Sequence, residues 1–553
     1  MKLSDLRPTG SGILCTAGAL AFTAMSFLVQ LGWLPDWCFL VGAALLLGMA
    51  AAGFVHKRDW KGFFSASVIA GAVLLSFGTV AFSRPTPLDE NISGKVITAL
   101  IALPVFWVLL AGFRMWMQSF RDPQGKGSPP VFSAVIVALY TAAALSLSWL
   151  KYYPSGTSPD TRHQWGQVHD DLILNDIHAL GHTIFLKGLL AIWDDYAMVI
   201  LVHILMIALL YGLFAHYLAG KGIRLGWMLL AVSIFTACES PTSTYMYPWK
   251  DTPYTFAVGI LTLFLIYLVD DEVKFTVPKA LVMAVSLAYT TLFRLNGIVI
   301  LLFVGIWLIV WLIRRKLWKH LTAMAAAVVI CFGAVNWYGY GVLKAESPEN
   351  GFSIQVFGSG IAAMVSQADG DLTREDRAEI SQYLKAGWMI PYYTPWETRK
   401  LIWTYETYDP EGIFSDPNME IMVNNFVLDL GEHKWDVVKL YFKLMPKHFA
   451  ICVRDVLYNT FAVWGLGWSY QFYYSNMFLL VLMMVGAGAN WKKASIGRRL
   501  IVFAPVICNA VSIAVSTITN ETRYLLPTHT LFPVLMLYLV CTSDRFPPEK
   551  KKE

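Results

Sequence analysis

The polar stretch from Lys151 to Tyr196 contains the residue types that acid–base chemistry needs, between two long apolar segments. It begins with the turn-forming sequence SGTSPD (155–160), in which Pro159 disfavours a helical conformation at Ser158. We therefore expect Asp160 on a turn just outside the preceding apolar segment. A carboxylate held there is suited to take the proton from an attacking hydroxyl group. Asp160 is the predicted general base.

The residues that follow Asp160 place more polar side chains at helical spacing. If residues 170–190 form a helix, it has one polar and one apolar face, as a helix lying in the membrane interface would. The polar face then carries Asp171, Asn175, His178 and His182, and the opposite face carries Ile173, Ile177, Leu180 and Ile184. The spacing of His178 and His182 fits a pair of ligands for a divalent cation. It fits equally an amphipathic connector whose polar side chains are simply hydrated.

A second polar cluster, CESPTSTYMYPWKD (238–251), separates two later apolar segments. It is predicted either to hold an anionic headgroup or to anchor the chain at the membrane interface, where lysine and aromatic side chains both concentrate. Its charged members are Glu239, Lys250 and Asp251, and its aromatic members are Tyr245, Tyr247 and Trp249.

Two arginines stand in the short connections TLFRLNG (291–297) and TNETRYLLP (519–527). Both connections are predicted on the outer side of a membrane, where arginine is less frequent than in cytoplasmic loops. Arginine offers a planar fork of donors that matches phosphate oxygens. We therefore predict that Arg294 and Arg523 bind phosphate together with Lys250, and that Tyr524 lies beside the substrate.

These residue types together predict transfer of a sugar from a polyprenyl-phosphate donor. Arg294, Arg523 or Lys250 would neutralise the phosphate charge that grows as the anomeric C–O bond breaks. Asp160 would deprotonate the incoming hydroxyl of a cell-envelope glycan, a lipid or a protein. Since one base suffices for direct displacement, the reaction is expected to invert the anomeric configuration.

The composition indicates that these residues belong to a membrane protein. Of 553 residues, 56% are hydrophobic and only 15% are charged, whereas a soluble domain carries about 25% charged residues. The net charge of +5 is therefore a topology signal and does not indicate a nucleic-acid partner. The seven cysteines are scattered and form no CxxC pair, so neither a zinc site nor a disulfide framework is indicated.

The apolar segments predict an all-α polytopic membrane protein with about fourteen transmembrane helices, each long enough to cross a bilayer. They are residues 11–31, 37–55, 62–82, 96–116, 131–150, 196–218, 225–240, 253–269, 278–293, 296–313, 321–341, 475–489, 498–516 and 524–541. The two segments between 278 and 313 are short and closely joined, which makes the count uncertain by one or two.

The charges of the connections predict the orientation. Every alternate connection is rich in lysine or arginine, which places both termini in the cytoplasm. The polar clusters then fall on the outer face, which we expect to carry the active site. The outer connections are residues 83–95, 151–195, 241–252, 292–296, 342–474 and 517–523.

Four parts follow from this topology. Interfacial helices are expected in the first large outer loop, and short helices in a small outer domain. The parts are a four-span N-terminal extension (1–130), a transmembrane core with the loop 151–195 (131–341), an extracytoplasmic domain (342–474), and C-terminal spans with a basic cytoplasmic tail (475–553).

Five short sequences resemble those of the GT-C superfamily of membrane glycosyltransferases, which includes protein O-mannosyltransferases and the lipid A aminoarabinose transferase. The chain is most similar to a bacterial group of uncharacterised relatives. The matching sequences are SPDTRHQW, LNDIHALGHTIF, PWKDTPY, FRLNG and ETRYLLP.

The resemblance implies a GT-C-like catalytic core in 131–341 within the cytoplasmic membrane of a bacterium. It also implies a polyprenyl-phosphate-sugar donor, Asp160 as the catalytic residue and a juxtamembrane helix at 170–190. Residues expected at the substrate are Arg162, His163, Trp165, His178, His182, Asp251 and Tyr524 within these sequences, and Glu239 in the second polar cluster. A metal is not required by the resemblance, although a divalent cation at His178 and His182 stays open.

Two features differ from the better-known members of the superfamily. Their catalytic loop follows the first span, whereas four spans precede the corresponding span here. They also often carry an acidic pair, where this chain has Asp160 followed by Thr161 and Arg162. Two other functions remain as alternatives: a transporter or flippase of a lipid-linked glycan, and a glycan polymerase or ligase. A transporter would place ionisable groups near the bilayer midplane, often within repeats, and neither is visible in the sequence.

Overall fold

A computed structural model of the chain describes residues 60–82, 92–119, 128–236, 239–270, 275–347, 372–383, 431–459, 476–516 and 522–544, and a few residues between 354 and 364. Extended pairing within this part is limited to one isolated bridge between Asn175 and Glu346, so the described chain is all-helical, as predicted. The predicted spans 11–31 and 37–55, the basic tail and most of the outer domain lie outside the described residues.

Eight helices in the described part are long and apolar enough to cross a membrane. They are Ala99–Gln118, Pro130–Tyr152, Tyr196–Gly220, Asp251–Val269, Leu295–Arg314, Trp318–Val342, Ser495–Ala514 and Arg523–Cys541. Shorter apolar helices are Ala66–Ser76, Leu180–Leu190, Leu225–Thr236, Val277–Phe293 and Asn476–Asn490. Every predicted span from 62–82 onward coincides with a helix, while the total of about fourteen spans stays a prediction.

The helices surround a buried centre and expose an apolar exterior. In Asp251–Val269, 83% of the apolar stretch is buried inside the molecule, compared with 17% in Trp318–Val342. The peripheral helices leave large apolar side chains uncovered, for example Leu147, Phe303 and Val329. Soluble proteins rarely expose apolar surface of this extent, so these faces are suited to contact lipid. The chain is a multi-pass membrane protein.

The FRLNG sequence forms a tight connection between Val277–Phe293 and Ile298–Arg314. Gly297 lies where an added Cβ atom would come within 1.9 Å of the Thr290 carbonyl oxygen, so a residue with a side chain does not fit there. Arg294 leaves the first helix with an extended backbone, at φ −146° and ψ 125°. The turn therefore sends the Arg294 side chain into the interior, where it is 7% exposed.

Alternate connections between the helices gather at two ends of the described part. At one end, the connections around residues 152–195, 244–251, 293–298 and 522–525 contact one another. At the other end, Lys221 pairs with Asp270 at 3.1 Å, and Arg499 pairs with Asp544 at 3.0 Å. The described connections that these contacts join therefore form two separate groups. Which end faces outward stays a prediction.

The loop 151–195 differs from the prediction in its second half. The structure has two helices, Pro159–Val168 and Leu180–Leu190, with non-helical chain between them, so the continuous helix expected over 170–190 is wrong. Asp170 has a left-handed backbone with φ 62°, which ends the first helix. The backbone of Leu174 accepts a hydrogen bond from Glu346, so this part of the loop pairs with a remote segment instead of with itself.

Candidate active site

The helix that carries Asp160 begins with a complete cap. Ser158 has an extended backbone at φ −142° and ψ 168°, and its side chain accepts a hydrogen bond from the backbone of Thr161. The Thr161 hydroxyl accepts one from the Ser158 backbone in return, and Pro159 occupies the first helical position. Asp160 therefore lies in the first turn of a helix, not on the free turn that we expected. Its charge is favoured there by the helix dipole.

Arg523 forms an ion pair with Asp160, with 3.0 Å between Nη1 and Oδ2. The two residues come from the first large polar loop and from the start of the last helix. Arg523 is 11% exposed and Asp160 is 37% exposed, so the pair lies at the edge of the helical bundle with one side open. Of the three predicted phosphate ligands, Arg523 is the one that contacts the predicted base directly.

The aromatic residues of the 238–251 cluster support this pair. Trp249 donates a hydrogen bond from Nε1 to Ser158 Oγ at 2.8 Å, and the Arg523 guanidinium lies 4.4 Å from the centre of its ring. Tyr247 stacks on Trp249 at 4.3 Å, and a Cβ atom on Gly156 would come within 2.4 Å of the Tyr247 ring. Trp249 therefore contacts both Ser158 and Arg523, and Tyr247 packs against Trp249 and Gly156. The sequence suggested these two rings only as anchors at the membrane interface.

Tyr245 differs from its aromatic neighbours. It is fully buried, and its hydroxyl shares a hydrogen bond with Thr530. The interpretation of Tyr245 as an aromatic residue at the membrane interface is therefore wrong.

Lys250 and His178 form the second polar contact of the site. Nζ of Lys250 lies 3.2 Å from Nδ1 of His178, and the His178 ring meets the edge of the His163 ring at 5.3 Å between centroids. His163 stands one helical turn after Asp160. Its Nδ1 atom is buried and has no hydrogen-bond partner among the described residues. We call Asp160, His163, His178, Lys250 and Arg523 the Asp160 cluster.

Arg294 lies next to the cluster but is bound to Asp251. The two side chains form a buried ion pair, with Asp251 only 1% exposed, and Arg294 also donates to Asn296 Oδ1 at 3.1 Å. The ring of Tyr524 lies 4.5 Å from the guanidinium of Arg294 and 5.2 Å from that of Arg523. Because Asp251 already balances its charge, Arg294 is suited to hold the two connections together. Phosphate binding by Arg294 stays a prediction.

The charges of the cluster determine its protonation states. Burial alone would raise the pKa of Asp160, but Arg523, His178 and Lys250 outweigh it and hold the pKa well below the usual range. Burial and the neighbouring Lys250 lower the pKa of His178 to about 3, so its imidazole is neutral near pH 7. Burial also lowers the pKa of Lys250, against the opposing effect of Asp160.

Several predicted substrate-binding residues lie outside the cluster. Trp165 packs against Tyr196, with 3.7 Å between ring centroids, and Arg162 is exposed beside the same tyrosine. His182 is fully buried, and its Nδ1 bonds to Gln164 Oε1 at 3.2 Å. The side chain of Glu239 lies outside the described residues. The structure therefore places only some of the predicted substrate-binding residues in the Asp160 cluster.

His178 and His182 do not form the helical ligand pair that their spacing indicated. His178 precedes the helix Leu180–Leu190, and each imidazole bonds to a different partner. Within the described ranges, no group of three His, Cys, Asp or Glu side chains is placed to hold a metal ion.

Ser158 and Trp249 are the contributors that sequence reasoning missed. The signal for Ser158 was present, since a serine directly before a proline is typical of a helix N-terminus. Trp249 has no comparable local signal, because its partners Ser158 and Arg523 are remote in the chain.

Comparison of the chain with protein-family models, curated proteins and solved structures finds no match.

Proposed function

We propose that the protein is a membrane glycosyltransferase that moves a sugar from a polyprenyl-phosphate donor to an acceptor hydroxyl. The observation that carries this proposal is the meeting of Asp160, Lys250 and Arg523 at one end of an apolar helical bundle. A donor of this kind has a lipid tail and a phosphate head. Its tail would lie along the lipid-facing helices and its head would enter the cluster.

The charge of the cluster suits a phosphodiester. Asp160 offsets one of the two positive charges of Lys250 and Arg523, and the adjacent Arg294–Asp251 pair is neutral. Counted over these described residues alone, positive side chains exceed carboxylates by one. A polyprenyl-phosphate sugar carries a single negative charge, which would balance this excess.

In the proposed reaction, the acceptor oxygen attacks the anomeric carbon while the bond from that carbon to the phosphate oxygen breaks. The acceptor proton passes to Asp160, and polyprenyl phosphate leaves with the bonding electrons. Negative charge then accumulates on the leaving phosphate, where Lys250 and Arg523 stabilise it. Displacement from the side opposite the phosphate inverts the anomeric configuration.

The ion pair with Arg523 gives Asp160 a second feature that the reaction needs. A carboxylate paired with arginine is ionised but is a weak base. When a phosphate shares the Arg523 guanidinium, less positive charge acts on Asp160, and its basicity increases. Donor binding would therefore strengthen the base that the next step uses.

We further propose that the site faces the outside of the cytoplasmic membrane of a bacterium, and that the acceptor is a cell-envelope glycan, lipid or protein. The support is the excess of lysine and arginine in the connections at the opposite end. The proposed GT-C membership has the same support as the reaction, namely a carboxylate in the first large polar loop beside cationic ligands.

The test uses the full chain in lipid nanodiscs with synthetic polyprenyl-phosphate sugars and a cell-envelope extract. Release of polyprenyl phosphate and glycosylated products is followed by mass spectrometry. Asp160→Asn should reduce release by about 100-fold or more, as expected on removal of a general base. Asp171→Asn is the matched control, because Asp171 is an exposed carboxylate of the same loop. Full activity of Asp160→Asn would rule out this mechanism, and transfer of only preassembled chains would favour the polymerase or ligase.

A further inference from the structure

Lys250 determines which nitrogen of His178 carries the proton. A lysine ammonium has donors and no acceptor, so Nδ1 of His178, 3.2 Å away, must accept the hydrogen bond. A neutral imidazole carries one proton, which is then on Nε2. His178 therefore presents an N–H group on the side of its ring that is turned away from Lys250.

That N–H group is available to a ligand. Nε2 of His178 has no hydrogen-bond partner in the part of the chain that the structure describes. The charged groups around the ring are Asp160, Lys250 and Arg523, and the other titratable neighbours are His163 and the buried His182. Because two of these three charged side chains are positive, the ligand that suits a further N–H donor beside them is an anion.

The segment that carries His178 is held firmly in place. Asp176 donates its backbone N–H to the carbonyl oxygen of Glu346 at 3.1 Å. The carboxylate of Asp176 accepts hydrogen bonds from the hydroxyls of Tyr340 at 2.7 Å and Ser347 at 2.6 Å. The imidazole is thus fixed from two sides, by this backbone anchor and by Lys250. A hydrogen-bond donor that is already held in place loses little conformational entropy when a ligand binds.

We infer that His178 is a neutral hydrogen-bond donor to the phosphate group of the donor lipid, with Lys250 behind it fixing its tautomer. This role rests on the proposed function and adds a third phosphate ligand to Lys250 and Arg523. His178 keeps its Nε2 proton throughout the reaction. Its hydrogen bond strengthens as negative charge collects on the leaving phosphate.

Two substitutions at His178 separate this role from a merely structural one. In His178→Gln, the longer side chain can place its amide N–H near the position of Nε2. In His178→Asn, the shorter side chain can place an amide oxygen near Nδ1, so it keeps the contact with Lys250 but reaches no ligand. His169→Asn is the control, since His169 follows the last residue of the helix Pro159–Val168, at the end opposite Asp160, and pairs with Asp194.

The measurement is the affinity of the full chain in nanodiscs for polyprenyl phosphate, by native mass spectrometry, with thermal unfolding recorded for every variant. We expect His178→Asn to weaken binding by about 10- to 100-fold, the usual effect of losing a hydrogen bond to a charged group. His178→Gln and His169→Asn should stay within about threefold of the wild type, because neither loses a donor to the ligand. Competition by inorganic phosphate would show that the headgroup alone is recognised.

The outcomes are distinct. If His178→Asn binds like the wild type and His178→Gln binds weakly, His178 only anchors Lys250 and the inference is wrong. Equal affinity in all variants would also overturn it, and would leave the proposed function intact. If the wild type binds no polyprenyl phosphate, the proposed donor class is wrong and the role of His178 falls with it.

Discussion

Asp160 and Arg523 form an ion pair at 3.0 Å across the open end of the helical bundle. The pair joins the predicted base to a predicted phosphate ligand, so neither residue acts independently. Any ligand that competes for Arg523 changes the basicity of Asp160, and any change at Asp160 alters the charge that Arg523 offers. This coupling makes the pH dependence of the reaction informative.

Replacing Arg523 should shift the acid limb of the pH profile of kcat/KM. In the wild type, Arg523 lowers the pKa of Asp160, so the base stays ionised far below neutral pH. In Arg523→Ala, burial dominates and the pKa rises, so kcat/KM should begin to fall at a higher pH than in the wild type. Donor affinity should fall by about 10- to 100-fold. Arg162→Ala is the control, since Arg162 is exposed on the same helix as Asp160. An unchanged acid limb would show that the pair does not tune the base.

The same ion pair should make stability depend on pH. Asp160 has a folded-state pKa below its usual value near 3.8. It therefore contributes stability above the unfolded-state pKa, and this contribution is lost as the pH falls through the folded-state value. The difference in unfolding temperature between the wild type and Asp160→Asn should shrink below about pH 4. A difference that does not vary between pH 3 and pH 7, measured in detergent by thermal unfolding, would contradict this expectation.

Arg294 should matter for stability more than for donor binding. Its charge is paired with Asp251 in the interior, and removal of one partner leaves the other charge buried and uncompensated. Asp251→Asn or Arg294→Met should each destabilise the protein by about 3–5 kcal/mol, and the double variant by less. Arg523→Ala, at the open edge of the bundle, should change stability much less. Comparable unfolding temperatures for all variants, with lost donor binding only in Arg294→Met, would instead support phosphate binding by Arg294.

Trp249 should act by positioning the cluster. Trp249→Phe removes the hydrogen bond to Ser158 Oγ and weakens the contact with the Arg523 guanidinium. These losses predict a decrease of about tenfold in activity with little change in unfolding temperature. Trp193→Phe is the matched control, because Trp193 is an exposed tryptophan of the same loop. Equal activity of the two variants would reduce Trp249 to an interface anchor.

The sidedness of the site can be tested by labelling. Thr157 is exposed beside the Asp160 helix, and Lys319 is exposed in the first turn of the helix that begins at Trp318, at the opposite end. In a cysteine-free background, Thr157→Cys should react with an impermeant maleimide from outside the cell, and Lys319→Cys only after permeabilisation. The reverse pattern would invert the topology and place the site in the cytoplasm.

The positions of the helices could be predicted from the sequence because they depend on local composition. An apolar segment in a membrane must satisfy its backbone hydrogen bonds internally, so it forms a helix wherever it occurs. For this reason each predicted span from 62–82 onward coincides with a helix among the described residues. The grouping of Asp160 and Lys250 with an arginine at one end of the bundle was also predicted, from the alternation of basic and polar connections.

Contacts between remote residues could not be predicted in this way. The polar stripe over 171–182 has helical spacing, but Asp176 bonds to Glu346 and the chain there is not a helix. Arg294 and Arg523 look equivalent in sequence, yet one is neutralised by Asp251 and the other meets Asp160. Local patterns specify which segments are helical, whereas the partner of a charged side chain depends on how those helices pack. Only the tertiary structure therefore decided which cation stands beside the base.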